Sequence, residues 1–376
     1  MKIVYVVTSR GQDIYSAMAR LSVASVRLML PTASVAVVCD AETNRSVQES
    51  GDRFPREVDE WISCETPNRE AVFRSRYLKT SLRQRIGGDF LFLDVDTIVR
   101  GDLSPVFQCA EDFAGAPNHS RERLDEQIWT GDQAILDEMR WETGQAFYMN
   151  SGVLWVADTE GAHCLYKQWH ANWLASQERV GDCRDQPALN TALLATNVSV
   201  ARLAARFNAQ IGAFPPVAKD AVVWHYNCSL GWQEKSRIDH LLASIMQDNA
   251  VNVESLRKLM ESQRLWPAPF WKGPTGRAMI AGSVRDLVKA LDEGADADSL
   301  FLAMRGVDRH YAGGIVRKLL ADTYWGEHAG GQRLALRLLL RYMPLAGLRE
   351  PARSCLLHRL LRKGKRFRPS RGELEG

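Results

Sequence analysis

The sequence predicts an α/β fold in which short strands alternate with helices, and three observations carry that prediction. Near residue 90, Phe90-Leu91-Phe92-Leu93 is an uninterrupted apolar run, preceded by Gly87-Gly88-Asp89 and ended by Asp94-Val95-Asp96. A run of this kind reads as a strand buried on both faces of a parallel sheet. Residues 2–7 and 34–38 are short β-branched segments, and Ile14, Met18, Leu21, Val26 and Met29 between them fall at helical spacing, which makes a βαβ start. The strand signals recur as far as Ala221-Val222-Val223-Trp224-His225-Tyr226 and then fade.

In chain order, a helix rich in Arg and Leu is expected over residues 69–85, leading into the strand that ends at Asp94. Residues 147–156 read as a strand interrupted by Asn150-Ser151-Gly152, where a bulge is the structural expectation. Residues 163–176 and 186–195 read as helices, the second opening at Pro187 with Asp185 placed as a cap. Beyond residue 238, helices are expected over 239–262 and 283–321, separated by Trp266-Pro267-Ala268-Pro269-Phe270-Trp271. This divides the chain into a first domain over 1–238, a helical extension over 239–330 and a basic amphipathic tail over 331–376.

The composition, 45% hydrophobic and 25% charged over 376 residues, is that of a globular protein. No run approaches a membrane span, and Met1 to Val7 is too short an apolar stretch for a signal peptide. The seven cysteines are scattered and include no Cys-x-x-Cys pair, which argues against a zinc site or a disulfide framework and for a reducing compartment. Residues 331–376 hold twelve Lys and Arg against three Asp and Glu, a balance of +9 that leaves −6 on the rest. Arg333, Arg337 and Arg341 share one face of a Leu-rich helix, and Leu356, Leu357, Leu360 and Leu361 lie among further basic residues. Such faces suit peripheral binding to anionic lipid, the plain alternative being a packed helix followed by a solvated basic tail. The tail lacks the interleaved aromatics of a nucleic-acid binder, so no nucleic acid is expected as a partner.

Parallel sheets bind ligands at the carboxyl ends of their strands. A single Asp there is an ordinary turn former. Two, after a strand with no other polar group, point to a hard divalent cation that in turn holds phosphates. Five segments then fall into one ordered pattern: Tyr77-Leu78-Lys79, Asp94-Val95-Asp96, Phe147 to Leu154 with Asn150-Ser151-Gly152, Asp185-Gln186-Pro187-Ala188-Leu189-Asn190, and Trp224-His225-Tyr226. In this order they resemble the GT-A glycosyltransferases, most closely the family-8-like group that uses nucleotide-sugar donors. The resemblance covers about residues 1–235.

The resemblance implies a Rossmann-like mixed sheet flanked by helices, with a helical C-terminal extension. It implies that Asp94, Asp96 and His225 bind Mn²⁺ or Mg²⁺, a His ligand favouring Mn²⁺. Such an ion bridges the donor diphosphate. Val95 belongs to the same motif. Lys79 stands where the family often carries Arg, with Arg74 and Arg76 equally placed by sequence. Thr8 is expected near the nucleoside, and Asp40 more weakly so. Asn150, Ser151 and Gly152 are expected to line the sugar pocket. Asp185 is expected to bind sugar hydroxyls, with Gln186 near the anomeric carbon as the other member of the catalytic pair. The implied reaction moves a hexose from a nucleotide diphosphate sugar, UDP-linked by expectation, to a hydroxyl on a glycan or lipid-linked acceptor, with retention of configuration suggested. A cytoplasmic protein, peripheral at the membrane through its tail, is the matching location.

After His225 the family continues with Gly, then Lys-Pro-Trp, whereas this chain reads Tyr226-Asn227-Cys228-Ser229-Leu230-Gly231-Trp232-Gln233-Glu234-Lys235. That departure admits a binding module that has lost turnover. A haloacid-dehalogenase-type phosphatase also ends a strand in two Asp residues, but it needs Gly-Thr after the second and a later Gly-Asp-x-x-x-Asp. Here Thr97 follows Asp96 directly, Gly181-Asp182-Cys183-Arg184-Asp185 is one residue short, and Gly131-Asp132-Gln133-Ala134-Ile135-Leu136-Asp137 is one too long. A nucleotidyltransferase would carry a Gly-rich loop after the first strand, and Ser9-Arg10-Gly11-Gln12 is too poor in Gly for that.

Overall fold

The computed structural model describes residues 1–11, 13–120, 123–144, 146–210, 221–226 and 237–261. The expected helix over 283–321 and the basic tail over 331–376 lie outside the described residues, as do Trp232 and Lys235. The elements are β1 (Lys2–Val7), α1 (Ile14–Met29), β2 (Ser34–Asp40), α2 (Ala41–Ser50), β3 (Glu60–Cys64), α3 (Ala71–Thr80), β4 (Phe90–Leu93), β5 (Thr97–Val99) and β6 (Phe113–Pro117). They continue as α4 (Leu124–Gln127), α5 (Thr130–Met139), β7 (Met149–Val156), α6 (Glu160–Val180), α7 (Gln186–Ala195), β8 (Val200–Arg202), β9 (Ala209–Gln210), β10 (Val223–His225), α8 (Arg237–Asp248) and α9 (Val253–Met260).

Seven strands form one sheet in the order β3-β2-β1-β4-β7-β6-β8. β1, β2, β3 and β4 run parallel, β7 is antiparallel to both β4 and β6, and β8 is parallel to β6. Side chains alternate across the strands and both faces are apolar, which is why these segments read as continuous hydrophobic runs. Tyr5, Val7, Val35, Val37, Leu91 and Leu93 enter one layer with Ala19, Val23 and Val26 of α1. Val4, Val6, Ala36, Val38, Phe90 and Phe92 enter the other, with Phe73 and Leu78 of α3, Trp169 and Trp173 of α6, and Leu189 of α7. A second sheet, β5-β10-β9, adds Val99 and Val223 to the α1 layer.

Local chemistry sets the boundaries. Asp13 caps α1 by accepting from the backbone N–H groups of Tyr15 and Ser16. Thr159 caps α6, which ends at Gly181 in the left-handed region at φ 74°. Asn150, Ser151 and Gly152 lie inside the buried eight-residue strand β7, but they have no register partner: β4 pairs with Val153 to Val156, and β6 passes from Leu154 directly to Met149. The register shift between Gly115 and Pro117 of β6 therefore sits opposite these residues, and the extra length is on β7, as the expected bulge requires. The expected helix over 239–262 is two helices, α8 and α9. The turn between them is anchored on the body: Arg20 of α1, 1% exposed, donates to Asn249 Oδ1 at 2.6 Å and to its carbonyl at 2.8 Å, while pairing with Asp52 and Glu57.

The topology builds one end of the molecule. β4 is parallel to β1 and antiparallel to β7, so the carboxyl end of β4 meets the amino end of β7. There the Asp94 backbone N–H donates to the Gly152 carbonyl at 2.8 Å. The chain then turns into β5, whose Thr97 is paired with His225 of β10.

Candidate functional site

Asp94, Asp96 and His225 each present a ligand atom within 4.8 Å of one another. The register of β5 against β10 is the cause: Thr97 faces His225, and the Tyr226 N–H donates to the Asp96 carbonyl at 2.9 Å. Thr97 Oγ1 also donates to the Asp94 carbonyl at 2.8 Å, which ties the acidic turn to its own strand. His225 Nε2 lies 3.3 Å from Asp96 Oδ1 and 3.9 Å from Asp94 Oδ2. Its Nδ1 lies 2.8 Å from Asn208 Oδ1. An amide oxygen can only accept, so Nδ1 carries a proton and Nε2 is the ring nitrogen turned toward the carboxylates.

Electrostatics in the cluster agree with that arrangement. Burial alone would lower the His225 imidazole, but the Asp96 carboxylate, with Asp94 behind it, holds it raised. Burial would raise Asp96, yet His225 and a backbone donor hold it below the usual carboxylate range. Gly152 completes the cradle. A Cβ at that position would lie 2.2 Å from His225 Cε1 and 2.9 Å from Asp94 Oδ2, so the imidazole reaches the carboxylates only because residue 152 has no side chain. Two carboxylates and one imidazole with a fixed tautomer suit a divalent cation of borderline softness.

Lys79 extends the cluster. Its Nζ, on a side chain 2% exposed, donates to Asp94 at 3.1 and 3.3 Å and to Ser151 Oγ at 3.1 Å, and lies 3.3 Å from Asp185 Oδ2. The three cations left open by sequence are thereby separated. Arg74 pairs with Asp40 and Glu42, and Asp40 caps α2, so neither Arg74 nor Asp40 turns toward the acidic cluster. Arg76 lies 3.2 Å from Asp185 Oδ1, and Asp185, Asp94 and Asp96 together outweigh its burial and raise it. Asp185 occupies the cap position of α7 but makes no side-chain cap bond. Burial would raise its carboxyl, yet Lys79 and Arg76 hold it below the ordinary range.

The remaining predicted residues fall into two groups. Asn150 is a buried hub whose amide is fully used: Oδ1 accepts from Gly152 N–H and Asn208 Nδ2, and Nδ2 donates to Asn118 Oδ1 and Gln186 Oε1. Ser151 meets Lys79 through its hydroxyl and Gln186 Oε1 through its N–H at 3.3 Å. Asn150, Ser151, Gly152, Lys79, Asp185 and Gln186 are therefore one connected set with the Asp94, Asp96 and His225 cluster. Thr8 and Val95 are not joined to it. Thr8 donates its hydroxyl to the Ala71 carbonyl at 3.1 Å, tying β1 to α3, and Val95 packs against the α1 layer.

Sequence reasoning passed over Asn118, Asp132 and Asn208. Each is a single polar residue far along the chain from its partners, and no local spacing marks it. The one available signal was Asn208 itself, an amide one residue before the short segment that pairs with His225.

The chain matches the family model described as glycosyl transferase family 8 over residues 6–234. No curated protein matches it. Among solved structures it is similar to the galactosyltransferase LgtC in complex with donor and acceptor sugar analogues, at 16% identity, with 74% of this chain and all of that one covered and a TM-score of 0.43. Mouse xyloside xylosyltransferase 1 gives 11% identity over 61% of this chain and 98% of that one, with a TM-score of 0.41. The glycosyltransferase GlyE of Streptococcus pneumoniae TIGR4 gives 16% over 68% and 62%, with a TM-score of 0.40. With more than half its length matched by the family model, and with a mixed sheet flanked by helices in the GT-A manner, the chain belongs to glycosyl transferase family 8 and is a glycosyltransferase.

Proposed function

We propose that the protein is a metal-dependent hexosyltransferase that uses a nucleotide diphosphate sugar, UDP-linked by preference, and delivers the sugar to a hydroxyl on a glycan or lipid-linked acceptor, with retention of configuration. The observation that carries this reading is the unbroken chain of ionisable side chains Asp96–His225–Asp94–Lys79–Asp185–Arg76, with His225, Lys79 and Asp185 buried at its centre. One end of it is a cation-binding triad, and the other stands at the start of α7 beside Gln186. Asp94, Asp96 and His225 would hold Mn²⁺ or Mg²⁺, which when bound supplies positive charge that stabilises the departing diphosphate.

The protein's own groups do the rest. Lys79, as a point charge between Asp94 and Asp185, stands where a phosphate oxygen and a sugar hydroxyl would both be near. Asp185 accepts from sugar hydroxyls, and Ser151 and Gly152 form the pocket edge with Gln186 toward the anomeric carbon. Thr8, at the end of β1, remains the proposed contact to the nucleoside, and Val95 contributes the turn between the two acidic ligands. Among the described residues, no helix is long and apolar enough to cross a membrane. We keep as a proposal that the Leu- and Arg-rich tail, residues 331–376, brings the enzyme to an anionic membrane surface at the cytoplasmic face.

The direct test is a thermal-shift screen of nucleotide sugars with and without Mn²⁺, followed by hydrolysis of the best donor. A donor and Mn²⁺ together should raise the melting temperature more than either alone. Asp94→Ala and Asp96→Ala should abolish turnover while leaving the fold intact. Undiminished turnover in either variant, or Mn²⁺-independent hydrolysis of simple phosphomonoesters, would contradict the reading. For the tail, a chain truncated at residue 330 should no longer pellet with anionic vesicles.

A further inference from the structure

Asp132, in the first turn of α5, is a buried carboxyl that none of the roles above uses; its residue is 4% exposed. Its Oδ2 lies 3.2 Å from Gln186 Nε2 and 3.2 Å from the Tyr148 hydroxyl. Its Oδ1 faces Arg184 Nε at 4.0 Å. Arg184 comes this close because residue 131 is Gly: a Cβ there would lie 2.3 Å from Arg184 Nη1. Arg184 is further held by Asp182 at 3.2 Å and lies over the Trp129 ring at 4.8 Å. The other end of the Gln186 amide is held just as firmly. Its Oε1 accepts from Asn150 Nδ2 at 3.0 Å and from the Ser151 N–H at 3.3 Å.

The Gln186 amide is thus gripped by donors at one end and by an acceptor at the other. An ionised carboxylate only accepts, so it permits one of the two amide orientations. We infer that Asp132 is the positioning residue of this transferase site, fixing the Gln186 amide with Nε2 on α5 and Oε1 on the β7 side of the pocket. The inference rests on the reading that places Gln186 beside the anomeric carbon. It gives that residue a direction, and it makes the hold on Nε2 depend on a proton.

Burial pushes the Asp132 carboxyl up to about 6, with Arg184 and Tyr148 lowering it and the neighbouring Asp185 and Asp182 raising it. Above that range Asp132 is acceptor-only and the amide is locked. Below it the acid carries an O–H and accepts more weakly, so its hold on Nε2 loosens while Asn150 Nδ2 and the Ser151 N–H still hold Oε1.

The test combines a readout that needs no turnover with one that does. In protein selectively ¹⁵N-labelled at glutamine, the Gln186 side-chain resonance, assigned by its loss in Gln186→Ala, should titrate with a midpoint near 6 in the wild type. It should not titrate in Asp132→Asn. A Gln186 amide that is flat across this range, or that titrates unchanged in Asp132→Asn, overturns the assignment. With UDP-glucose or UDP-galactose as donor and water as acceptor, Asp132→Asn should lower kcat roughly tenfold or more while donor KM stays within about twofold, because the lost interaction acts on geometry rather than binding. The acidic limb of the wild-type kcat profile should disappear with it. In a Gln186→Ala background the same substitution should have no further effect, whereas a merely structural role would multiply the two losses. A wild type that turns over no nucleotide sugar counts against the transferase reading. An active wild type with multiplicative losses counts against the role of Asp132.

Discussion

Asn208 stands behind His225, its Oδ1 2.8 Å from the imidazole Nδ1, and the same amide donates through Nδ2 to Asn150 at 2.9 Å. One side chain therefore sets the tautomer of the proposed metal ligand and links it to Asn150, the hub of β7. Partners of this kind behind a ligating His typically contribute about 10- to 100-fold in metal affinity. Asn208→Ala is expected to weaken Mn²⁺ binding within that span, measured by calorimetric titration, with the secondary structure unchanged. Affinity equal to wild type would mean that the ring is oriented by other contacts.

Gly152 is the point where backbone, imidazole and carboxylate come closest. The added methyl of Gly152→Ala would stand 2.2 Å from a buried ring carbon, and the Gly152 carbonyl is tied to the Asp94 N–H at 2.8 Å. Overpacking of this kind costs about 1–3 kcal/mol. The expected outcome is a urea midpoint lowered accordingly, with Mn²⁺ affinity falling further than in Asn208→Ala because both His225 and Asp94 are displaced. A variant with wild-type stability and wild-type metal binding would show that the cradle is looser than the geometry implies.

How much of this was legible in the sequence follows from burial. β1, β2, β4 and the far half of β7 are apolar on both faces, so they appear as runs. β3 is an edge strand whose Glu60 and Ser63 break its run, and β6 carries small residues and Pro117 in place of β-branched ones. β6 needs them: a Cβ on Gly115 would lie 2.5 Å from Met149 Sδ. The polar Asn150-Ser151-Gly152 marks the stretch of β7 that leaves the ladder with both neighbouring strands, and its polar groups find partners of another kind. The partners, Asn118, Gln186, Asn208 and Lys79, come from four separate parts of the chain. In the site, the contiguous Asp94-Val95-Asp96 carries its own signal, whereas Asn208 and Asp132 acquire meaning only once β10 and α7 are packed beside them.

Lys79 joins two carboxylates, Asp94 and Asp185, that would otherwise stand near each other without a shared cation. Asp185 is held below the ordinary carboxylate range by Lys79 and Arg76 against the effect of burial. Its contribution to stability is therefore complete above about pH 4 and is lost as pH falls through the depressed folded value. Lys79→Met removes one of the two cations and leaves Arg76, so the loss should sit near the lower end of the ~3–5 kcal/mol typical of a broken buried pair. Urea unfolding at neutral pH should show this loss, and the gap from wild type should narrow as the carboxylates protonate. Lys79→Arg should recover most of the stability and turnover, since it keeps the charge. A Lys79→Met protein as stable as wild type at pH 7 would remove Lys79 from the charge chain.

Asp132 sets function against stability. Its carboxyl is raised from 3.8 to about 6, chiefly by burial. Between those values the folded chain binds more protons than the unfolded one, so stability falls as pH rises through the window and the full loss stands above about pH 6. A shift of this size corresponds to about 3 kcal/mol. Asp132→Asn keeps the shape and removes the charge. Relative to wild type, the variant should therefore gain nothing at pH 4 and up to that amount at pH 7, read from urea unfolding at the two pH values with unchanged m-values. The same substitution is expected to slow turnover. A site that keeps a costly ionised group where a neutral one would fold better is the pattern expected of a residue held for its chemistry. If Asp132→Asn instead destabilises the protein at pH 7 as much as at pH 4, the carboxylate is acting as a structural acceptor for Tyr148, and its ionisation carries no cost.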